Sequence, residues 1–374
     1  MFDAPQRILM TADTVGGVWT YCMELARSAE WKNMSICLAT MGAKLSRSQS
    51  VEAASLHNLE VMESAYKLEW MEDPWTDVEA AGEWLLGLED RFEPEIVHLN
   101  GYVHGALPFA APKVVLAHSC VLSWWEAVKS GAAPSHWNQY RERVLDGLRA
   151  ADAIVAPSTA MLSNIERLYG VSANSRVIYN GCDAHDFKAT RKEPFILAAG
   201  RIWDEAKNIG SLARIAASVP WSICVAGDNQ GPQCKEKMEP GPGITCLGKL
   251  HRSELAKWYG RASIYALPAR YEPFGLSVLE AALSGCALVL GDIASLRELW
   301  DGAAVFVNPN DAAELEGALQ KLIAHPDEVR ALSQAAKRRA RRYTIRRMAA
   351  AYLELYQSLI FNPATQNEEL APCA

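Results

Sequence analysis

The sequence predicts an α/β protein built from two doubly wound, Rossmann-like domains that face each other across a cleft. Three observations support this fold class. The chain has 374 residues, 50% of them are hydrophobic, and short apolar runs alternate with helical patterns from end to end. This length exceeds that of one typical domain. Regular alternation of strands and helices is typical of a parallel sheet covered by helices on both faces.

The first series of elements starts with a strand at 7–13 and a helix at 18–30. Further strands are predicted where Val, Ile, Leu and Ala form short runs, at 34–40, 95–100, 113–119, 152–158 and 175–181. Amphipathic helices are predicted at 77–92 and 137–151, because apolar residues recur there at helical spacing.

A polar stretch at 182–194 separates this series from a second one and predicts a linker. The alternation then restarts, with strands predicted at 195–201, 221–228, 243–249, 262–269, 286–292 and 303–309. We therefore predict an N-terminal domain at 1–186, a C-terminal domain at 187–347 and a flexible tail at 362–374.

Composition narrows the classes of function and the cellular compartment. The net charge of −7 and the pI near 5.7 argue against a general nucleic-acid binder. The nine cysteines show no C-x-x-C spacing, and several lie in strand-like runs, which is typical of free thiols in a reducing cytosol. We expect neither a signal peptide nor a membrane span, because no charged segment precedes a long apolar run. The predicted location is therefore cytoplasmic.

The stretch 269–292, ARYEPFGLSVLEAALSGCALVLGD, carries two carboxylates around a predicted helix start. Pro273 is tolerated at such a start, and Gly275 lets a ligand approach the backbone. The unpaired amides of Phe274, Gly275 and Leu276 would form an anion site suited to phosphate. Glu272 and Glu280 would be repelled by phosphate, but they can accept hydrogen bonds from sugar and ribose hydroxyls. The layout predicts a site for a nucleotide sugar.

The stretch 198–208, AAGRIWDEAKN, places two cations just beyond a predicted strand. Open α/β sheets bind their ligands at this end of the strands. Arg201 can form a forked pair with phosphate, and Lys207 supplies a point charge. Together they could offset the charge that develops on a departing diphosphate.

These motifs identify a family resemblance that covers residues 7–360. E-x7-E with an internal P-F-G, in the second of two α/β domains, resembles the retaining glycosyltransferases of the GT-B fold, family four. The resemblance implies that Arg201 and Lys207 hold the donor diphosphate, and that Glu272 orients the hexose. It also implies that Glu280 binds the ribose, and that a last helix at about 348–361 packs back on the N-terminal domain.

Two further motifs gain a role through this resemblance. A strand followed by Gly16 and Gly17 outlines a phosphate-binding turn, although the G-x-G-x-x-G fingerprint is absent. The family has a Gly-Gly loop here that faces the donor. His118 follows a predicted strand, and a family histidine at this position contacts the transferred sugar. His98 and His104 are rival candidates at the neighbouring strand end.

The sequence contains no D-x-D motif, which other glycosyltransferases use to hold a divalent ion. We therefore expect no metal and no cofactor, with cations and amides in place of the metal. Catalytic candidates are His118, Arg201, Lys207 and Glu272.

The basic run and a pair of tryptophans can each be interpreted in two ways. The basic run at 337–347 is either a solvated helix face or a weak attachment to an anionic membrane. Trp124 and Trp125 either pack in the core or border the acceptor pocket, because flat rings stack on sugars or aromatic acceptors.

The resulting hypothesis is a retaining, metal-independent hexosyltransferase that uses a nucleoside diphosphate sugar and a hydroxyl acceptor. A UDP-sugar is favoured and a GDP-sugar comes next. A nucleotide-sugar epimerase on the same fold and a non-catalytic sugar-nucleotide-binding subunit remain the alternatives. Base, sugar, acceptor and oligomeric state are not predicted.

Overall fold

The structure is a computed structural model and describes residues 5–30, 33–171, 174–231, 239 and 241–361. The predicted tail at 362–374 lies outside the described residues. The described part of the chain forms two parallel sheets, each covered by helices on both faces, with a cleft between them. The predicted fold class is confirmed. The exact domain boundaries stay a prediction.

The first sheet contains seven strands in the described residues, in the order β3-β2-β1-β4-β5-β6-β7. These are β1 (Arg7–Asp13), β2 (Ser35–Met41), β3 (Leu59–Glu63), β4 (Ile96–Leu99), β5 (Lys113–Leu116), β6 (Ala153–Ala156) and β7 (Ser175–Val177). The helices of this half are α1 (Gly17–Glu30), α2 (Arg47–Ala54), α3 (Trp75–Phe92), α4 (Val121–Lys129), α5 (Asn138–Arg149) and α6 (Thr159–Tyr169).

The second sheet contains six strands in the same described ranges, in the order β10-β9-β8-β11-β12-β13. These are β8 (Glu193–Ala199), β9 (Ser222–Ala226), β10 (Ile244–Gly248), β11 (Ala262–Leu267), β12 (Ala287–Gly291) and β13 (Val305–Val307). The helices are α7 (Ile209–Ile215), α8 (Arg252–Arg261), α9 (Leu276–Leu283), α10 (Ala294–Trp300), α11 (Ala312–Ala324), α12 (Pro326–Ala340) and α13 (Ile345–Phe361).

The central strands are buried on both faces, which explains their continuous apolar runs. In β1, residues 8–12 are all buried, and Met10 lies between Leu38 of β2 and His98 of β4. The sequence-based prediction missed β3. This strand lies at the sheet edge and is only half-buried, so its apolar pattern is weak.

The strand order reverses once in each sheet, between β1 and β4 and between β8 and β11. At such switch points the loops beyond the strands diverge and leave a crevice for a ligand. The two crevices face each other. Short polar contacts join the two halves here: Ser158 caps α6 by accepting from the Met161 amide and donates to the Pro273 carbonyl at 2.7 Å.

The helix α13 returns to the first half of the fold after the second sheet is complete. Tyr352 and Tyr356 are buried against the same core as α1 and β1. The Tyr356 hydroxyl lies 2.6 Å from Nδ1 of His98 on β4, a residue 258 positions earlier in the chain. A segment from the end of the described chain thus completes the core of the first half.

Candidate functional site

A cleft of about 330 Å³ lies between the two sheets, at the carboxyl ends of their strands. Most of the residues singled out in the sequence line this cleft. They are Gly16, Gly17, His118, Arg201, Lys207, Glu272, Phe274, Gly275, Leu276 and Glu280. The structure therefore brings together residues from both halves of the chain. Their individual roles stay predictions.

The start of α9 forms one wall of the cleft. Gly275 has φ +86°, a left-handed conformation that a side chain would strain, and a Cβ there would lie 3.0 Å from the Val278 side chain. The helix begins at Leu276, and its first amide groups have no carbonyl partner within the helix. Leu276 and Ser277 line the cleft, so this positive end of the helix is placed to bind an anion.

The two predicted phosphate-binding cations stand close to carboxylates. Nζ of Lys207 lies 2.6 Å from Oε2 of Glu272, and both side chains are 13% exposed. Nη2 of Arg201 lies 2.7 Å from Oδ2 of Asp204. In this structure Lys207 and Glu272 neutralise each other, so a bound diphosphate would compete with Glu272 for the lysine.

Asp204 is a site residue that the sequence reasoning missed. It is 5% exposed, and Oδ1 accepts a hydrogen bond from Nε1 of Trp124 at 3.1 Å. Burial favours a higher pKa, but Arg201 and Lys207 outweigh it and lower the pKa of Asp204 below its usual value. The carboxylate therefore fixes Arg201 and links it to the opposite wall. In the sequence, its position three residues after Arg201 was the signal that could have indicated an ion pair between the two.

Glu280 lines the cleft from within α9 and is 8% exposed. Burial raises its pKa to about 7, against the opposing effects of Arg252 and Tyr259. Nη2 of Arg252 lies 2.5 Å from the Glu24 carboxylate on α1. The half-buried Arg252 thus links the surroundings of Glu280 to the first half of the fold.

Glu280→Gln is expected to raise the melting temperature by a few degrees near pH 8 and by little near pH 4. The folded protein holds the Glu280 proton more tightly than the unfolded chain does, because the pKa rises from 4.5 to about 7. This carboxyl group therefore lowers stability as pH rises through that window, by up to about 3 kcal/mol. Thermal unfolding across this pH range measures the effect.

The exposed Glu83 provides the matched control, since Glu83→Gln should shift melting equally little at both pH values. An equal shift for Glu280→Gln at low and high pH would contradict a raised pKa for Glu280.

The loop after β1 forms the opposite wall. A Cβ on Gly16 would lie 3.0 Å from Nη1 of Arg201, and a Cβ on Gly17 would lie 3.8 Å from Cδ1 of Leu276. At Gly16 a side chain would therefore crowd the cation. The lack of side chains at these two positions keeps room across the cleft.

The three candidate histidines lie in different surroundings. His98 is fully buried between the hydroxyls of Tyr21 and Tyr356, and His104 is buried with Nε2 bonded to the Val78 carbonyl. His118 lines the cleft in the loop after β5. The geometry thus separates His118 from its two rivals.

His118 is held in its neutral form. Burial lowers its pKa to about 4. Its Nε2 lies 2.6 Å from Oδ1 of Asn100, whose amide nitrogen donates to the Thr11 carbonyl. Because this amide oxygen can only accept, Nε2 carries the proton and Nδ1 is left as an acceptor. Such a histidine can accept a hydrogen bond from a hydroxyl.

Asp13, at the end of β1, is a second residue that the sequence reasoning missed. Burial raises its pKa to about 6, and the Val15 amide and Arg201 oppose the rise. Its Oδ1 accepts from the Val15 amide at 2.6 Å. An acidic residue at the carboxyl end of a central strand was the signal that could have found it.

The described residues contain no group of three His, Cys, Asp or Glu side chains placed to hold a metal ion. In the same part of the chain, no helix combines the length and the apolar composition that crossing a bilayer requires.

Two models of known protein families match the chain. The profile of "Glycosyltransferase Family 4" matches residues 15–186, and that of "Glycosyl transferases group 1" matches residues 193–325. The first match covers β2 to β7 of the first sheet, and the second covers all six strands described in the second sheet. The chain belongs to glycosyltransferase family 4, with the GT-B fold.

Among curated relatives, the chain is 27% identical over 276 residues to glycogen synthase of Mycobacterium tuberculosis, covering 68% of this chain and 66% of that protein. It is 28% identical to the O-antigen chain mannosyltransferase RfbU of Salmonella typhimurium, covering 47% and 52%. The alignments thus span less than two thirds of either relative.

Solved structures show the same fold. Sucrose-phosphate synthase from Thermosynechococcus elongatus matches with a TM-score of 0.81 at 18% identity, covering 95% of this chain and 99% of that one. Anabaena Alr3699/HepE in complex with UDP-glucose matches with a TM-score of 0.76 at 16% identity, covering 94% and 99%.

Proposed function

We propose that this protein is a retaining, metal-independent glycosyltransferase that moves a hexose from a nucleoside diphosphate sugar to a hydroxyl acceptor. One observation carries the proposal. Arg201 and Lys207 lie beside the amide end of α9, with Glu272 and Glu280 on either side of that helix start. Cations and amides suit a diphosphate, and the two carboxylates suit the hydroxyls at its two ends.

Each residue has a distinct task in this proposal. Arg201 and Lys207 balance the charge that grows on the departing diphosphate, while amides near Phe274, Gly275 and Leu276 hold the phosphates and sugar. Glu272 orients the hexose. Glu280 accepts hydrogen bonds from the ribose. On the opposite wall, Nδ1 of neutral His118 accepts from a hydroxyl of the transferred sugar.

The proposed reaction needs no protein nucleophile. The bond between sugar C1 and the diphosphate oxygen breaks, and the acceptor oxygen bonds to C1 on the same face. The acceptor proton passes to the departing diphosphate oxygen. The mutual neutralisation of Lys207 and Glu272 supports a coupled step, because a phosphate that attracts Lys207 releases Glu272 toward the sugar.

UDP-glucose is the first donor to test, since UDP is the commonest carrier and the Anabaena structure is described with UDP-glucose. A GDP-sugar is the second. The acceptor class includes saccharides, lipids and small molecules. We also propose a cytosolic location, which the seven free cysteines of the described residues support. The exposed arginines near Arg341 would allow weak attachment to an anionic membrane.

We expect a melting-temperature increase with one diphosphate among UDP, GDP and ADP, and with its glucose or mannose derivative. A ligand present at a hundred times its Kd adds about 2.7 kcal/mol to stability. With that donor and a mixture of mono- and oligosaccharide acceptors, turnover should persist in excess EDTA. Loss of turnover in EDTA that Mn²⁺ or Mg²⁺ restores would contradict the metal-free mechanism.

The same assay separates the proposed activity from its alternatives. An epimerase would convert the donor sugar to its isomer without any acceptor. A non-catalytic binding subunit would show the melting shift but no turnover with any acceptor.

A further inference from the structure

A continuous row of rings runs from the cleft along the surface of the first half. It consists of Trp124, Trp125, His136 and Trp137, and we name it the aromatic row. Consecutive ring centres are 5.9, 6.5 and 5.3 Å apart. Trp124 and Trp125 lie on α4, and His136 and Trp137 lie in the segment just before α5. The fold therefore brings the rings of two separate segments into contact.

The aromatic row begins inside the cleft. Trp124 lines the cleft together with His118, and its Nε1 donates to Asp204. At its other end, Trp137 borders a groove of about 240 Å³ between α4, α5 and α6. The row therefore connects the candidate catalytic centre to a second concave surface.

Core packing does not account for the whole row. Trp124 and Trp137 pack partly against the core of the first half, but Trp125 is half-buried and belongs to none of the core clusters of the described residues. His136 is exposed. Aromatic surface that the core does not need, continuous with a ligand cleft, is typical of a binding site.

The groove beside Trp137 offers both apolar and polar groups. Leu122 and Pro134 contribute apolar surface. At its edge, Nη2 of Arg167 lies 2.6 Å from Oε2 of Glu126, and Arg141 donates to the Leu168 carbonyl at 3.3 Å. Charges of both signs lie close together, so the groove does not select for a strongly anionic ligand such as a lipid headgroup.

These features fit an extended saccharide. A pyranose ring has an apolar C–H face that can stack on an aromatic ring and a rim of hydroxyls that can bond to charged and amide groups. We propose that the acceptor is an oligosaccharide or a longer glycan. Its reacting unit lies near His118, and its following units stack on Trp125, His136 and Trp137. This inference rests on the proposed function and names its acceptor class.

Binding of linear saccharides of increasing length tests the inference. The probes are disaccharides and hexasaccharides of α-1,4-linked glucose, β-1,4-linked glucose and α-1,6-linked mannose, followed by saturation-transfer NMR and calorimetry. Wild-type protein should bind at least one hexasaccharide more tightly than the matching disaccharide. Trp125→Ala and His136→Ala should each weaken hexasaccharide binding about three- to tenfold, with little effect on the disaccharide.

Two controls separate stacking from structural damage. Trp125→Phe should retain most of the affinity, because it keeps a ring. Trp221→Ala removes a partly buried tryptophan from the second half of the fold and should leave saccharide binding unchanged. Trp125 and His136 lie outside the core clusters, so Trp125→Ala and His136→Ala should fold.

The outcomes distinguish the two proposals. If no hexasaccharide binds better than its disaccharide, or if Trp125→Ala binds like wild type, the aromatic row is not a saccharide site. UDP or GDP would still raise the melting temperature in that case, and the donor proposal would stand. If hexasaccharide binding depends on the row but no nucleotide shifts melting, the transferase proposal fails while the saccharide site remains.

Discussion

Arg201→Ala and Lys207→Ala are each expected to lower turnover about 100- to 1,000-fold while the protein stays folded. Loss of one group that stabilises developing charge has an effect of this size. Arg201→Lys keeps the charge but loses the forked geometry, so it should recover only part of the rate. Steady-state kinetics with the donor identified by thermal shift measures the effect, and circular dichroism melting monitors folding.

Lys321→Ala is the matched control, because Lys321 forms an exposed ion pair with Glu328 far from the cleft residues. Its turnover should equal that of wild type. Near-normal rates in both Arg201→Ala and Lys207→Ala would refute their assignment to the diphosphate.

Glu272→Gln should lower kcat roughly ten- to a hundredfold without weakening the binding of the free nucleoside diphosphate. A charged hydrogen bond contributes about 1.5–3 kcal/mol, and an interaction that tightens in the transition state appears in kcat. Because Lys207 is paired with Glu272 in this structure, the substitution releases the lysine. Affinity for the diphosphate should therefore stay equal or increase.

Glu280→Gln should behave in the opposite way. If Glu280 binds the ribose, its substitution weakens the whole nucleotide, including the free diphosphate. Calorimetry of UDP or GDP with both variants decides between the two roles. Equal weakening in Glu272→Gln and Glu280→Gln would show that the sugar and ribose roles are divided wrongly.

Most of the fold could be predicted from the sequence, because a parallel strand buried on both faces appears as a short continuous run of apolar residues. Every strand predicted from an apolar run is present, with ends that differ by a few residues. The half-buried edge strand Leu59–Glu63 was missed, since its pairing with β2 depends on a neighbour distant in sequence rather than on its own composition.

The site was predictable as a set of residues but not as a set of contacts. Arg201, Lys207 and Glu272 follow strands, and Glu280 lies one turn into a helix, positions that local patterns reveal. The pairing of Lys207 with Glu272 joins residues 65 positions apart and depends on how β8 and β11 lie side by side. Asp13 and Asp204 each carry only a weak sequence signal, a position at a strand end and a spacing of three residues from Arg201. Their burial and charged neighbours distinguish them in the structure.

The return of α13 also fixes an order of events during synthesis of the chain. The ribosome makes the first sheet early, but Tyr356, the partner of His98, emerges only after the whole second sheet. At 5–20 residues per second, the interval between β7 and Tyr356 is roughly 10–40 s. For that time the nascent first half exposes the surface of Met10 and His98 that α13 later covers. The first half therefore completes its core only when α13 has been made, which is shortly after the last helix of the second half.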